Sequence, residues 1–234
     1  MLRETTMEAI SDGKIYSLND MVKADTGGCR GCSKCCTGMG SSIVLDPYDV
    51  WLLKSACKKS LQELLNEGRI ELNMVDGLIM PNIKMGEDER CTFLDADGRC
   101  SIHAYRPGIC RLFPLGRVYQ ENGFAYFLQK NECVRENRTK IKVKKWIDTE
   151  CIPENQSFIA AWHTFIRSVG DAVISLHEAG RGERVRDITM YVLNEFYVSD
   201  IVDEESVNNA ENNHAYIYEI LMQKIEMAKS MLRV

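Results

Sequence analysis

Phe158, Trp162, Phe165, Ile166, Val169, Val173 and Leu176 recur at the spacing of one face of a helix, and Gly180 closes the run. A second helix is predicted over 186–198. A third covers 213–232, with Ile217, Ile220, Leu221, Ile225, Ala228 and Leu232 along one side. The acidic, asparagine-rich stretch 203–213 between them reads as a loop or a ragged helix start. Upstream, Asp46-Pro47 is a strong helix start, with Asp46 as cap and Pro47 at the first position, where its missing N–H costs nothing. Val50, Leu52, Leu53, Leu61, Leu64 and Leu65 then support helix over 47–66, with an interruption allowed and Gly68 as the stop.

Shorter patterns predict strands. Residues 70–85 suggest a hairpin around Asp76-Gly77, and 118–129 a second one turning at Asn122-Gly123 and rich in aromatics. Short strands are expected over 14–17 and 41–45, and a short helix over 18–23 capped by Ser17. The basic run 140–145 reads as a solvated strand or helix face leading into Trp146. Residues 86–117 have Gly and Pro between three cysteines and little periodicity, so this segment cannot easily build a core of its own. The expected fold class is α+β: a metal-stapled, loop-rich N-terminal half with short strands and helices, then a helical C-terminal half. As domains, this gives 1–150 for the cysteine-cluster part and 151–234 for the helical part.

Composition narrows the chemistry. The chain has 234 residues, 45% hydrophobic and 27% charged, ordinary globular values that exclude wholesale disorder. A net charge of −5 supplies no global basic field for nucleic acid or anionic lipid. No apolar stretch approaches the roughly 18–20 residues of a membrane span, and the first residues hold no apolar signal core. A cytoplasmic protein is expected, with neither nucleic acid nor membrane as partner. Cysteine departs from the average: ten, at 29, 32, 35, 36, 57, 91, 100, 110, 133 and 151. Disulfide frameworks belong mostly to short secreted chains, whereas clustered thiols in a reducing compartment more often hold metal.

The densest run is Gly28-Cys29-Arg30-Gly31-Cys32-Ser33-Lys34-Cys35-Cys36, a C-x2-C-x2-C-C pattern. Two-residue gaps let a tight turn aim successive thiolates at one centre, as zinc sites and iron–sulfur clusters both require. Neighbouring side chains in extended backbone point opposite ways, so Cys35 and Cys36 are expected to serve different metal atoms. Cys91, Cys100 and Cys110 follow, with turns at Asp97-Gly98 and Pro107-Gly108 to gather them, and then Cys133. Cys57 lies in a helical pattern and Cys151 at the junction with the helical half; both read as small buried or idle thiols. Eight ligand candidates remain: Cys29, Cys32, Cys35, Cys36, Cys91, Cys100, Cys110 and Cys133. Eight thiolates make two complete four-thiolate sites, although four could bind metal while the others pack.

The run C-x2-C-x2-C-C, followed by Cys-x-Phe-Leu at 91, Arg-Cys-Ser-Ile-His at 99 and Arg-Pro-x-x-Cys-Arg-x-x-Pro at 106, resembles the YkgJ-like cysteine-cluster family, a zinc- or iron-chelating domain. The likeness covers roughly residues 27–146, and His103 stands where Tyr is more usual. The resemblance implies eight ligands, which fall on the eight positions above. One branch, flagellin lysine N-methylase, is similar in its cysteines. That likeness implies S-adenosylmethionine with an iron–sulfur cluster, and no specific signature for the methyl donor is present here.

The spread of the second cysteine group suits a cluster reached from several loops better than the paired hooks of structural zinc, although thiolates fit either metal. The preferred reading is a cytosolic protein with one or two iron–sulfur clusters, 4Fe-4S in type, acting in electron transfer or as the redox part of an oxidoreductase with a protein partner. The alternatives are a zinc-stabilised interaction module and a methylase-like enzyme; whether the chain is an enzyme stays open, as does its oligomeric state. Arg30, Lys34, Arg106, Arg111 and Arg117 lie close in sequence to the thiols and can offset their charge, bind an anion, or simply sit at the surface. His103 can replace a thiolate; His163, His177 and His214 fall in helical patterns and read as surface or packed. No glycine-rich nucleotide loop is present.

Overall fold

The computed structural model describes residues 7–27, 32–121, 123–202 and 213–233. In chain order the elements are α1 (Met7–Ile10), β1 (Met21–Asp25), α2 (Pro47–Cys57), α3 (Leu61–Asn66), β2 (Ile70–Val75), β3 (Leu78–Ile83), α4 (Gly108–Leu112), β4 (Leu115–Gln120), β5 (Gly123–Leu128), β6 (Thr139–Lys142), α5 (Val143–Ile147), α6 (Ile152–Glu178), α7 (Gly182–Leu193) and α8 (His214–Leu232). Strands pair two by two, β1 with β6, β2 with β3, and β4 with β5. Short strand pairs in the N-terminal half and long helices in the C-terminal half make this a mixed α+β protein, as the pattern predicts.

The chain divides into two compact units. One takes the residues up to Ile43 together with Ile83–Thr149; the other takes Val44–Asn82 together with the residues from Glu150 onward. The sequence pattern suggests a single boundary near 150. The helices and hairpin of 44–82 instead group with the C-terminal helices.

In the first unit, β1 and β6 run antiparallel, with Val22 opposite Ile141. The expected helix over 18–23 does not form. Ser17 and Asp20 close a turn, the Ser17 N–H donating to Asp20 Oδ2 at 2.7 Å, and strand follows. Alternation explains this outcome, because Val22 and Ala24 are fully buried while Met21 and Lys23 are exposed. The expected strand over 14–17 reduces to one bridge, Tyr16 to Tyr126. Val22, Ala24, Leu112, Leu115, Tyr126, Leu128, Val143 and Ile147 form the core, with Trp146 packed against it. Between Lys84 and Arg106 only Phe93 and Ile102 are buried. At about 1.5–3 kcal/mol per buried side chain against about 1–2 kcal/mol of backbone entropy per ordered residue, that stretch cannot hold itself in place.

In the second unit, Asp46 caps α2. Its carboxylate accepts from the Asp49 N–H at 2.9 Å, and the Asp49 carboxylate accepts from the Asp46 N–H. Lys58, left-handed at φ 51°, ends α2, and Ser60 with Glu63 caps α3 in the same reciprocal way, so the predicted helix over 47–66 is two helices. The expected strand over 41–45 is a single bridge, Val44 to Asn82. Asp76 and Gly77 both have positive φ, the signature of a type I′ hairpin between β2 and β3. The run predicted over 186–198 is α7 followed by a π-helical turn, Asn194–Val198. Phe158, Phe165, Phe196, Tyr197, Leu221 and Ile225 are buried, and the Tyr197 hydroxyl donates to the Leu45 carbonyl at 3.1 Å. The loop expected over 203–213 lies, except for Asn213, outside the described residues. No helix among the described residues is long and apolar enough to cross a membrane.

Gly170 of α6 lies against the hairpin turn, where a Cβ would sit 2.8 Å from the Asp76 carbonyl oxygen. Gly170→Ala should therefore destabilise the protein by about 1–3 kcal/mol through overpacking, despite alanine's better helix propensity. Urea unfolding should show a lower midpoint at an unchanged slope; an unchanged midpoint would mean that helix and turn separate freely.

Candidate metal centre

Backbone hydrogen bonds between short loops bring the cysteines together. Residues Lys34–Cys36 form one 3-10 turn, closed by the Cys36 N–H donating to the Ser33 carbonyl at 2.9 Å. The chain then runs beside 85–91: the Gly38 N–H donates to the Glu89 carbonyl, and the Cys91 N–H to the Cys36 carbonyl, both at 2.8 Å. Asp95 holds the next turn, its Oδ1 accepting from the N–H groups of Asp97 and Arg99, and Leu94 bridges to Cys100 across it. The His103 N–H donates to the Cys100 carbonyl at 3.2 Å. Cys110 then lies in α4, which starts at Gly108 with Pro107 as its N-cap, so the expected Pro107-Gly108 turn is a helix start.

These loops place Cys32, Cys35, Cys36, Cys91, Cys100 and Cys110 around one cavity of about 110 Å³. The rest of its wall is largely apolar, including Met39, Ile43, Met85, Phe93, Ile102, Phe113 and Trp146, with His103 and Arg106 as its polar side chains. Cys133 lines a smaller neighbouring cavity whose wall also includes Cys32, Cys35, Phe113 and Trp146. Cys29 lies outside the described residues. Cys57 and Cys151 belong to the second unit, whereas the seven described ligand candidates belong to the first. All the described cysteines are free thiols. Among the described residues, no three His, Cys, Asp or Glu side chains converge on a single ion-sized point. Six of the cysteines share the wall of one cavity.

The expectation that Cys35 and Cys36 diverge rests on extended backbone, and that premise fails. In the 3-10 turn the two thiols share a hydrogen bond, which draws Cys35 down to about 7 and, with burial and the neighbouring thiols Cys91 and Cys110, pushes Cys36 up. Burial raises Cys100, against the pull of the Ile102 N–H and the Arg106 charge. His103 is lowered by burial and by Arg106, whose Nη1 donates to His103 Nε2 at 3.0 Å, so that nitrogen is already engaged as an acceptor. Arg111 ties the site together from behind through the carbonyls of Ala104, Arg106 and Asp148.

Trp146 is the lining residue that the pattern did not single out. Its indole N–H donates to the Leu112 and Phe113 carbonyls at 3.3 and 3.2 Å, and its ring lines both cavities. The Trp that follows the basic run 140–145 was the available signal.

Cysteines gathered from separate loops around one largely apolar cavity are the arrangement expected of a metal-chelating domain. The family model described as CxxCxxCC, "Putative zinc- or iron-chelating domain", matches residues 28–152, more than half of the chain, and the protein belongs to that family. No curated protein and no solved structure matches the chain.

Proposed function

We propose that this is a cytoplasmic iron–sulfur protein with one or two thiolate-ligated clusters, 4Fe-4S in type, serving electron transfer with a redox partner. The observation that carries the reading is the set of six thiols around one 110 Å³ cavity. A structural zinc ion takes four thiolates at about 2.3 Å and leaves no interior space between them. Here six cysteines line a cavity of about 110 Å³, more room than one tetrahedral ion leaves. A core that brings its own sulfide suits such a volume. Cys32, Cys35, Cys36, Cys91, Cys100 and Cys110 would supply ligands to it, and Cys133 with Cys29 would complete the eight thiolates that two centres require. When bound, the cluster supplies one-electron redox chemistry, while the chain holds the sulfurs and excludes water with Phe93, Ile102, Phe113 and Trp146.

Metal and sulfide analysis after anaerobic purification tests this directly. Iron with acid-labile sulfide in comparable amount is expected. Zinc without sulfide would overturn the iron–sulfur reading and leave a zinc-stabilised module.

A further inference from the structure

A thiolate centre carries more negative charge than its metal offsets: four thiolates on one divalent ion leave about two negative charges. Inside apolar walls that charge is expensive unless a cation is near. Among the described residues lining the six-thiol cavity, Arg106 is the one cationic side chain. Its Nε is buried with no hydrogen-bond partner, while Nη1 is held by His103 Nε2. Arg111 Nε donates to the Arg106 carbonyl at 3.1 Å, which fixes the backbone that carries the group. The other nearby cations are placed differently. Arg111 is engaged with backbone carbonyls, Arg117, whose Nε is likewise buried without a partner, does not line this cavity and lies over the Phe124 ring at 5.2 Å, Lys34 lines the smaller cavity, and Arg30 is outside the described residues.

We propose that Arg106 is the positioning cation of the metal centre, directing its buried Nε–H at a metal-bound sulfur and setting the reduction potential of the cluster. This rests on the thiolate-centre reading above. An N–H donor and a positive charge beside sulfur stabilise the reduced, more negative state and raise the potential.

The test compares wild type, Arg106→Gln, Arg106→Lys and Arg117→Gln, each purified anaerobically. Metal and sulfide content and the midpoint potential by protein-film voltammetry are measured for all four. With cluster content equal, Arg106→Gln should move the midpoint to more negative values, Arg106→Lys should restore most of the shift, and Arg117→Gln should match wild type. A fully loaded Arg106→Gln protein with the wild-type potential overturns the proposal, as does an Arg117→Gln shift of equal size. If the wild type holds zinc instead, the iron–sulfur reading falls while the role of Arg106 is still decided by zinc competition with a chromophoric chelator. Arg106→Gln should then bind about tenfold more weakly than wild type and Arg106→Lys nearly as tightly; equal affinity of Arg106→Gln and wild type overturns it. A chain that takes up neither metal overturns the site and the role of Arg106 together.

Discussion

Cys110→Ser protein, purified anaerobically beside wild type, should lose the metal of the larger cavity, at least half of the total, and melt well below it. Between Lys84 and Arg106 the first unit buries only Phe93 and Ile102, so under the proposed reading the loops carrying Cys91 and Cys100 would depend on metal bridging through their sulfurs. Metal-site free energy is folding free energy, about 10–16 kcal/mol for a structural site, so loss of one ligand of four removes several kcal/mol. Serine keeps the size of the side chain and loses the soft thiolate. Cys57→Ser is the matched control: Cys57 lies at the end of α2 in the other unit, and this variant should keep full metal content. Cys133→Ser separates one centre from two. Because Cys133 faces the smaller cavity, a two-centre protein should retain about half of its metal. Equal losses in the Cys57 and Cys110 variants would show that the division of the cysteines is wrong.

Phe165→Ala should be the most damaging single change in the second unit. The ring is fully buried and packs against Trp162 and Phe196, with centroids 5.7 and 5.5 Å away. Truncating a buried phenylalanine costs about 3–5 kcal/mol in lost transfer energy and residual cavity. Against a typical total stability of about 5–15 kcal/mol, that is a large share. For a chain of this size the melting temperature should fall by roughly ten degrees, read by circular dichroism in the helical band. A fall of only a degree or two would mean that the aromatic cluster closes over the gap.

Local signals in the sequence were strong wherever one segment makes its own case. The cap at Asp46, the Asp76-Gly77 turn, and the long amphipathic run from Phe158 each carry their instruction within a few residues. β1 was missed because its partner, β6, lies more than a hundred residues away, and four or five residues of pattern do not reveal such a pairing. Grouping of 44–82 with the C-terminal helices was hidden for the same reason: the burial of Leu53 or Leu64 is legible, but not the helix that covers it. At the site, cysteine spacing named the ligand candidates, of which Cys32, Cys35, Cys36, Cys91, Cys100 and Cys110 line one cavity. It could not show that Cys35 and Cys36 share a 3-10 turn, nor which arginine among several lines their cavity. Those facts depend on loops whose path is set by backbone hydrogen bonds, such as that from Cys91 to Cys36.

The order in which the second unit is strung along the chain also matters during translation. Residues 44–82 leave the ribosome carrying Leu53, Leu64 and Ile70, all destined for burial, but α8, which completes their unit, is finished only at Leu232. At about 5–20 residues per second the nascent polypeptide waits on the order of ten seconds with greasy surface uncovered. A holdase chaperone that engages the emerging chain after residue 82 would shield it over that interval, and slow elongation would lengthen the time it is needed.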